Sequence, residues 1–298
     1  MVGYLFAGQG SQYVGMGKDL YETFPESKLI FDQADKVLGF DLTKRCFEGP
    51  AELLKATVIS QPAILTVSIA AYEAFKARTD KKPSFVAGLS LGEYTALIAA
   101  GSLPFESGLR LIRRRAEIMD DASRKHPGKM AAVLELPIDK IKDICLQSHA
   151  EIANINAPGQ TVISGTVEAM DKARALCAEA GAKRVIELEV SGGFHSSLMF
   201  EASVALKMFL NNIPMFPPLI PVISNYTALP QNKVTQIQEN LVYQMRSSVR
   251  WEDSMRFILS QGVTEFFEFG PGKVLKGLMR RIDSNAKVVS IEKSADIA

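Results

Sequence analysis

The chain has 298 residues, of which 47% are hydrophobic and 22% are charged, as is ordinary for a soluble globular protein. Its 34 basic and 33 acidic side chains leave a net charge of +1 at pH 7, so nothing global indicates nucleic-acid or membrane binding. No apolar run reaches transmembrane length, and the N-terminus lacks the basic region of a signal peptide. Cys46, Cys145 and Cys177 lack metal-site spacing, so we expect buried, reduced thiols, no metal and a cytoplasmic protein.

The first motif is a glycine-rich loop that follows a short apolar strand. Residues 4–7 (Tyr-Leu-Phe-Ala) predict the strand, and residues 8–12 (Gly-Gln-Gly-Ser-Gln) form the loop. The loop begins like a dinucleotide-binding fingerprint, but Tyr13 stands where the third glycine should be, which argues against a Rossmann site. Its free backbone N–H groups could instead supply an oxyanion donor. The chain then predicts a helix over residues 60–77, with Pro62 inside the first turn.

A serine between two glycines is the most informative feature of the chain. A β-prone run enters residues 88–92 (Gly-Leu-Ser-Leu-Gly), and a helix-compatible run leaves them. The two glycines remove side chains that would clash in a sharp strand-to-helix turn, which places the Ser90 hydroxyl at the tip. The N–H of Leu91 points into the same space, which favours a nucleophile beside an oxyanion site. The alternative is a glycine-rich loop that contains a serine by chance.

An arginine lies in the apolar face of the next predicted helix, which runs from Phe105 to about Ala122. The apolar positions that surround Arg115 at helical spacing are Leu111, Ile112, Ile118, Met119 and Ala122. Burial of a guanidinium is costly unless it meets an anion. Two hypotheses follow for Arg115. It forms a structural ion pair or reaches the surface, or it binds a substrate carboxylate as a two-pronged donor.

The middle of the chain has a different pattern from the rest. Strands are predicted at 130–136, 151–156, 161–164 and 184–190, and helices at 138–148 and 167–180. The order βαββαβ is that of a ferredoxin-like unit. We therefore predict an α/β protein in which a large α/β-hydrolase-like domain with a parallel sheet core comprises residues 1–125 and 197–298. A ferredoxin-like subdomain of residues 126–196 is inserted into it.

His195 is the candidate base for Ser90. It follows a strand and a Gly-Gly bend, so it could project into a cleft between the two parts of the chain. The other histidines, His126 and His149, lie in polar, turn-like surroundings typical of the surface. No acidic residue marks itself as the third member of a triad. About 100 residues follow His195, which fits the usual α/β-hydrolase order poorly.

The remaining residues return to α/β alternation and end with a basic helix at 273–282. Its basic side is formed by Lys273, Lys276, Arg280 and Arg281. Such a run is usually a solvated face, but it could also meet an acidic partner.

Taken together and in this order, these motifs resemble the malonyl-CoA:acyl-carrier-protein transacylases of fatty-acid synthesis. The segments that carry the resemblance are residues 8–12, 88–93, the helix of Arg115, 156–160, 193–196 and 269–275. The chain departs from the family at Ala7, where proline is frequent, and at Leu89, where histidine is frequent. Neither departure removes a chemical group that the mechanism needs.

The resemblance implies a role for each site residue. Ser90 would be the nucleophile and His195 its general base and later acid. The backbone N–H groups of Gln9 and Leu91 would form the oxyanion hole, and Arg115 would pair with the malonyl carboxylate.

Two further roles follow from the same resemblance. A backbone carbonyl, at Gln244, would orient the histidine in place of a carboxylate. Phe194, beside the base, would line the acyl pocket and disfavour a bulky α-substituent.

The resemblance also implies substrates and partners. Malonyl would move from malonyl-CoA to Ser90 and then to the phosphopantetheine thiol of holo acyl carrier protein, in a ping-pong cycle with no permanently bound cofactor. We expect a monomer. A stand-alone acyltransferase of a polyketide synthase is the alternative within the same chemistry. A serine acyl hydrolase would need no carboxylate clamp, and a binding module would need no serine–histidine pair.

Overall fold

Ten strands form two sheets in the computed structural model, which describes residues 1–297. In chain order the strands are β1 (Val2–Phe6), β2 (Phe85–Gly88), β3 (Gly128–Leu134), β4 (Glu151–Ala157), β5 (Gln160–Thr166), β6 (Arg184–Glu187), β7 (Val222–Ile223), β8 (Pro230–Gln231), β9 (Glu265–Phe269) and β10 (Lys287–Ile291). The two sheets share no strand.

The larger sheet has the strand order β10-β9-β1-β2-β7-β8. Its first five strands are parallel, and β8 runs antiparallel to β7. Phe6, the last residue of β1, lies opposite both Gly88 of β2 and Phe269 of β9. The carboxyl ends of these strands therefore meet at one edge, where α/β proteins bind their ligands. The loops that follow β1 and β2 are brought together there.

Most of the helices pack on the two faces of the larger sheet, and the two helices within residues 138–179 pack on the smaller sheet. In chain order they are α1 (Lys18–Thr23), α2 (Pro25–Leu38), α3 (Leu42–Glu48), α4 (Ala51–Lys55), α5 (Thr57–Lys76), α6 (Leu91–Ala99), α7 (Phe105–Lys125), α8 (Ile138–Ser148), α9 (Val167–Glu179), α10 (Phe200–Leu210), α11 (Val234–Arg246), α12 (Trp251–Ser260) and α13 (Val274–Ile282). Tyr4 and Phe6 pack in the core that contains α5 and α7, whereas Leu5 packs against α12 and α13. This alternation is what a strand buried on both faces requires.

The smaller sheet is antiparallel and has the order β4-β5-β3-β6. Its strands and the helices α8 and α9 follow one another as βαββαβ, the order that the sequence predicts. A separate core fills the space between this sheet and its two helices. The α/β fold with a parallel core is confirmed. The domain boundaries at 125/126 and 196/197 stay a prediction, which the separate sheet of residues 128–187 supports.

The helix α5 differs from its prediction in two ways. It begins at Thr57, so Pro62 lies inside the helix and not in its first turn. With 20 residues, the helix is also long enough and apolar enough to cross a membrane. The expectation that no apolar run reaches transmembrane length is therefore wrong. In the most apolar 18-residue stretch of this helix, however, 89% is buried inside the protein. The helix is therefore a core element, and the burial of all its sides explains its uniform hydrophobicity.

Two other elements differ from expectation. The strand β6 ends at Glu187, three residues before its predicted end, and the chain then crosses towards α4. The helix α10 was not predicted, because three apolar side chains on its outer face are exposed and blur the helical period; they are Phe200, Val204 and Met208. The buried state predicted for the three cysteines is confirmed.

The helix α6 packs unusually close to β1 and β2. A Cβ atom at Gly92 would lie 2.2 Å from the carbonyl oxygen of Phe6, and one at Gly88 would lie 2.0 Å from the backbone of Gly92. No side chain fits these contacts, so the two glycines set the distance between the helix and the sheet.

This contact yields a test of the fold. Gly92→Ala should lower the free energy of unfolding by roughly 1–3 kcal/mol or more, because the methyl group overpacks backbone against backbone. Gly277→Ala is the matched control, since a Cβ there meets nothing within 4 Å and lies in the helix α13. Helix propensity should make that variant slightly more stable. The measurement is the midpoint of thermal unfolding of each variant. Equal midpoints for Gly92→Ala and Gly277→Ala would contradict the proposed close packing of α6 on the sheet.

Candidate active site

Ser90 occupies the sharp turn between β2 and α6. Its backbone has φ 53° and ψ −102°, a conformation that residues other than glycine seldom adopt. This geometry is that of a nucleophile elbow, and it directs the hydroxyl away from both flanking elements. The sequence-based expectation of a strand-to-helix turn is therefore met.

Asn225 fixes the elbow from a neighbouring strand. Its Oδ1 accepts a 2.6 Å hydrogen bond from the N–H of Ser90, and its Nδ2 donates a 2.8 Å bond to the carbonyl of Gly88. Asn225 follows β7, which pairs with β2 in parallel. No sequence motif indicates this residue. A polar side chain just after a buried strand was the one available signal.

Ser90 and His195 are in hydrogen-bond contact although 105 positions separate them. The distance from Ser90 Oγ to His195 Nε2 is 2.8 Å, and His195 Nδ1 lies 2.7 Å from the carbonyl oxygen of Gln244. A carbonyl only accepts, so Nδ1 carries the proton and Nε2 is free to accept the serine hydroxyl. The three residues therefore have the geometry of a nucleophile, a base and an orienting group.

The imidazole of His195 is held in its neutral form. His195 is 5% exposed and has a left-handed backbone with φ 55°. Its pKa is lowered to about 4. Burial is the largest cause, the nearby Arg115 cation acts in the same direction, and the hydrogen bond to the Gln244 carbonyl opposes the shift. At neutral pH the ring is thus able to accept a proton.

Arg115 reaches the same hydroxyl from the helix α7. Its Nη1 donates 2.7 Å to Gln61 Oε1, and its Nη2 donates to Ser90 Oγ at 3.1 Å and to Gln244 Oε1 at 3.2 Å. The guanidinium carbon lies 5.2 Å from the ring centre of Tyr94. Burial lowers the pKa of Arg115, while Tyr94 and the Glu93 carboxylate oppose the shift.

The guanidinium of Arg115 lacks an anionic partner in residues 1–297. The side chain is 1% exposed, and among the described residues its buried Nε–H has no acceptor and no carboxylate lies within ion-pair distance. Of the two hypotheses for this residue, the structural ion pair is therefore not observed. A substrate carboxylate stays the prediction.

Glu93 is a second buried charge in the site, and no sequence motif indicates its burial. It lies on α6 with 0% exposure, where it accepts hydrogen bonds from Asn225 N at 3.0 Å, Gln231 Nε2 at 2.7 Å and Gln244 Nε2 at 2.8 Å. Burial raises the pKa of this carboxyl to about 6, and these three hydrogen bonds and the charge of Arg115 oppose the rise. In the sequence it reads as one more polar residue of an amphipathic helix.

The two predicted oxyanion donors lie at the meeting edge of β1 and β2. Neither the N–H of Gln9 nor that of Leu91 has a hydrogen-bond acceptor within the part of the chain that the structure describes. The side chain of Gln9 is turned aside and donates to Thr57 Oγ1 at 3.3 Å. The two N–H groups are thus available, and their role as an oxyanion hole stays a prediction.

A cleft of about 730 Å³ leads to Ser90 and His195 between the two sheets. Phe194, which is 4% exposed, lies in its wall beside the base. The smaller sheet contributes Met130, Asn154, Asn156 and Val162, and the helix α13 contributes Val274 and Leu278. A long, largely apolar cleft of this volume suits an extended ligand with a reacting end at the bottom.

The basic residues of α13 lie on the surface beside this cleft. All four side chains predicted to meet a partner are exposed; they are Lys273, Lys276, Arg280 and Arg281. Arg281 forms a 2.9 Å ion pair with Glu135 of the smaller part. Within residues 1–297, no group of three or more histidine, cysteine or acidic side chains is arranged to hold a metal ion.

Comparison with known proteins identifies the family. A model described as "acyl transferase domain" matches residues 3–291. A malonyl CoA-acyl carrier protein transacylase of Bacillus subtilis is 44% identical over 295 residues, which are 97% of this chain and 93% of that protein. A polyketide biosynthesis malonyl CoA-acyl carrier protein transacylase of Bacillus velezensis is 42% identical over 294 residues, 96% of this chain and 98% of that protein.

A solved structure agrees with these sequence relatives. It is described as a type II PKS acyl-carrier protein in complex with its malonyl-transacylase. It matches this chain with a TM-score of 0.97 and 36% identity, over 99% of this chain and 97% of the other. Since the family model and these relatives cover nearly the whole chain, the protein belongs to the acyl transferase domain family, among the malonyl CoA-acyl carrier protein transacylases.

Proposed function

We propose that this enzyme transfers malonyl from malonyl-CoA to the phosphopantetheine thiol of acyl carrier protein through a malonyl ester of Ser90. One observation carries the proposal. The Ser90 oxygen lies 2.8 Å from the base His195 and 3.1 Å from the guanidinium of Arg115. A nucleophile, its base and a carboxylate receptor therefore converge on one atom.

The first half-reaction begins with proton transfer from Ser90 to His195 Nε2. The serine oxygen attacks the thioester carbonyl carbon, and the N–H groups of Gln9 and Leu91 donate to the oxyanion that forms. Collapse of this intermediate breaks the C–S bond, and the imidazolium returns its proton to the departing CoA thiolate. The products are CoA and a malonyl ester of Ser90.

The second half-reaction reverses the roles of sulfur and oxygen. The carrier-protein thiol gives its proton to His195, and its sulfur attacks the ester carbonyl. The C–O bond to Ser90 breaks, and the imidazolium protonates the serine oxygen. The Gln244 carbonyl holds the ring through Nδ1 in both halves, so a neutral acceptor does the work of a triad carboxylate.

Arg115 is proposed to select the malonyl group. Nε and Nη2 form one edge of a guanidinium, and here Nη2 contacts the Ser90 oxygen while the Nε–H lacks an acceptor within residues 1–297. In a malonyl group, one methylene separates the carboxylate from the acyl carbonyl. That carboxylate could accept hydrogen bonds from both N–H groups of this edge. A serine hydrolase has no need of such a receptor. Phe194 is proposed to restrict substituents on the α-carbon, because it is buried in the cleft wall beside His195.

The carrier protein is proposed to dock beside α13. Val274 of this helix lines the cleft and is 48% exposed, so a partner at the mouth would contact it. The neighbouring Lys273, Lys276 and Arg280 offer positive charge to an acidic partner, and Arg281 is engaged with Glu135. The solved relative in complex with a carrier protein supports a protein partner of this type.

We infer that the malonyl groups serve fatty-acid synthesis, and a polyketide role is the second candidate. The relative from Bacillus velezensis favours the second role, as it belongs to polyketide biosynthesis and is nearly as similar as the first. The rates of malonyl transfer to a fatty-acid carrier protein and to a polyketide carrier protein would discriminate between the two. Monomeric state, cytoplasmic location and the lack of a permanently bound cofactor stay predictions.

The covalent intermediate gives the first test of this proposal. After incubation with malonyl-CoA, intact-mass spectrometry should show one malonyl adduct on the wild type and none on Ser90→Ala. Addition of holo acyl carrier protein should remove the adduct. An adduct that survives the substitution would contradict the assignment of Ser90.

The base gives the second test. His195→Ala should slow acylation of Ser90 by roughly 10²–10⁴-fold, since proton transfer in the transition state contributes about that much. His126→Ala is the control, because His126 is exposed and lies outside the cleft. Rapid-quench acylation measures both variants, and a normal rate in His195→Ala would require another base.

The carboxylate receptor gives the third test. Arg115→Ala should lower malonyl loading about ten- to a hundredfold or more, because a charged hydrogen bond is worth roughly 1.5–3 kcal/mol. Acetyl loading should change less, since acetyl has no carboxylate to lose, and Arg115→Lys should rescue incompletely.

Arg114→Ala is the matched control for this third test, because Arg114 is on the same helix but pairs with Glu117 at the surface. The measured quantity is the ratio of malonyl to acetyl loading in folded protein. An unchanged ratio in Arg115→Ala would make Arg115 a structural residue.

A further inference from the structure

Two opposite charges lie buried in the active site without touching. Arg115 is 1% exposed and Glu93 is 0% exposed, yet they form no ion pair. The side-chain amide of Gln244 stands between them. Its Oε1 accepts from Arg115 at 3.2 Å, and its Nε2 donates to Glu93 at 2.8 Å.

We propose that Glu93 is the internal counter-charge of Arg115 and that its negative charge limits how strongly Arg115 holds the substrate carboxylate. This inference rests on the proposed function, because it concerns the affinity of the same receptor. It makes Glu93 a specificity-determining residue that acts through space and through Gln244, without contact to the acyl group.

The spacing of the two charges explains why both persist in the fold. A direct carboxylate–guanidinium pair would occupy the edge that a substrate needs. A guanidinium with no counter-charge would be costly to bury. With the Gln244 amide between them, Glu93 supplies the opposite charge from a distance. The Nε–H of Arg115 keeps no acceptor in residues 1–297, and its Nη2 keeps the contact to Ser90, so a substrate carboxylate can bind to both groups.

The charge of Glu93 should weaken carboxylate binding. Arg115 and Glu93 together are neutral, so a bound carboxylate leaves the buried site with a net charge of −1. If Glu93 were neutral, the same carboxylate would cancel the charge of Arg115. Electrostatic interactions are strong in a site shielded from water, so malonyl should gain and uncharged acetyl should gain little.

Glu93→Gln isolates this charge because the hydrogen bonds can be kept. The oxygen of the new amide can accept from Asn225 N and Gln244, while its NH₂ group faces the side chain of Gln231. In the wild type, Gln231 accepts from Asn240 Nδ2 at 2.9 Å. In the variant, rotation of the Gln231 and Asn240 side-chain amides by about 180° would again pair each donor with an acceptor. The contacts of Gln244 to Arg115 and to Ser90 O do not depend on the charge.

Protonation of Glu93 should have the same effect as the substitution. Burial raises the pKa of Glu93 to about 6. The charged and titratable groups that interact with it are Arg115 from α7 and Tyr94 on its own helix, and His195 lies beyond Gln244, which contacts both Glu93 and His195. Arg115 stays cationic, burial raises the pKa of Tyr94 to about 12, and burial lowers that of His195 to about 4. Among these groups, Glu93 alone changes charge near pH 6.

The experiment measures single-turnover loading of Ser90 by malonyl-CoA and by acetyl-CoA across this pH range. The wild type should show a malonyl-to-acetyl ratio that rises as the pH falls through about 6. Glu93→Gln should show a ratio that is several-fold higher than the wild type at neutral pH and that does not change with pH. The phosphates of CoA titrate in both substrates alike, so they cancel in the ratio.

Glu268→Gln is the matched control. Glu268 is also a buried carboxyl, 1% exposed, but it accepts from Leu275 N, Lys276 N and Ser290 Oγ at the start of α13. Removal of the Glu268 charge should change the free energy of unfolding. The malonyl-to-acetyl loading ratio and its pH dependence should stay as in the wild type.

Three outcomes are distinguishable. A ratio that is flat or falls through pH 6 in the wild type, or one that is not raised in folded Glu93→Gln, overturns the role of Glu93. If that variant does not fold, the wild-type pH series alone decides. The absence of any malonyl adduct on wild-type Ser90 would instead overturn the proposed function.

Discussion

The burial of the Arg115 guanidinium without a directly bonded carboxylate in residues 1–297 is the constraint on which the site depends. Hydrogen-bond acceptors must surround it, and the side chains of Gln61, Gln244 and Ser90 provide them. Gln244 in turn needs its amide fixed, which Glu93 does from the other side. The acceptors come from distant segments, so the whole large domain contributes to holding one cation in place.

Close approach of backbones is what brings these groups to one atom. Gly92 allows α6 to touch the end of β1, and the parallel pairing of β1 with β2 places Gln9 and Leu91 at one edge. Asn225 then ties both sides of the Ser90 turn. The geometry around Ser90 is a consequence of sheet register and of the absence of two side chains, more than of any flexible loop.

The smaller sheet serves the site from the opposite side. It forms one wall of the cleft, and the segment that leaves it carries His195 back to the carbonyl of Gln244 on α11. The ion pair between Arg281 and Glu135 joins the two parts near the basic helix. His195 and Ser90 therefore follow strands of different sheets, and their 2.8 Å contact depends on how the two sheets pack.

The sequence by itself determined the α/β class, the βαββαβ insertion, the serine turn and the buried arginine, because each depends on short-range spacing and polarity. It also indicated His195, since few histidines compete. Only the tertiary structure decided that no carboxylate of residues 1–297 pairs with Arg115, that Asn225 clamps the turn and that Glu93 is a buried charge. It also placed Pro62 inside a fully buried helix, where tertiary packing outweighs the local preference of proline for a helix start. Local patterns report which residues are polar, but hydrogen-bond partners more than 100 residues apart are set by register and packing, which no local pattern encodes.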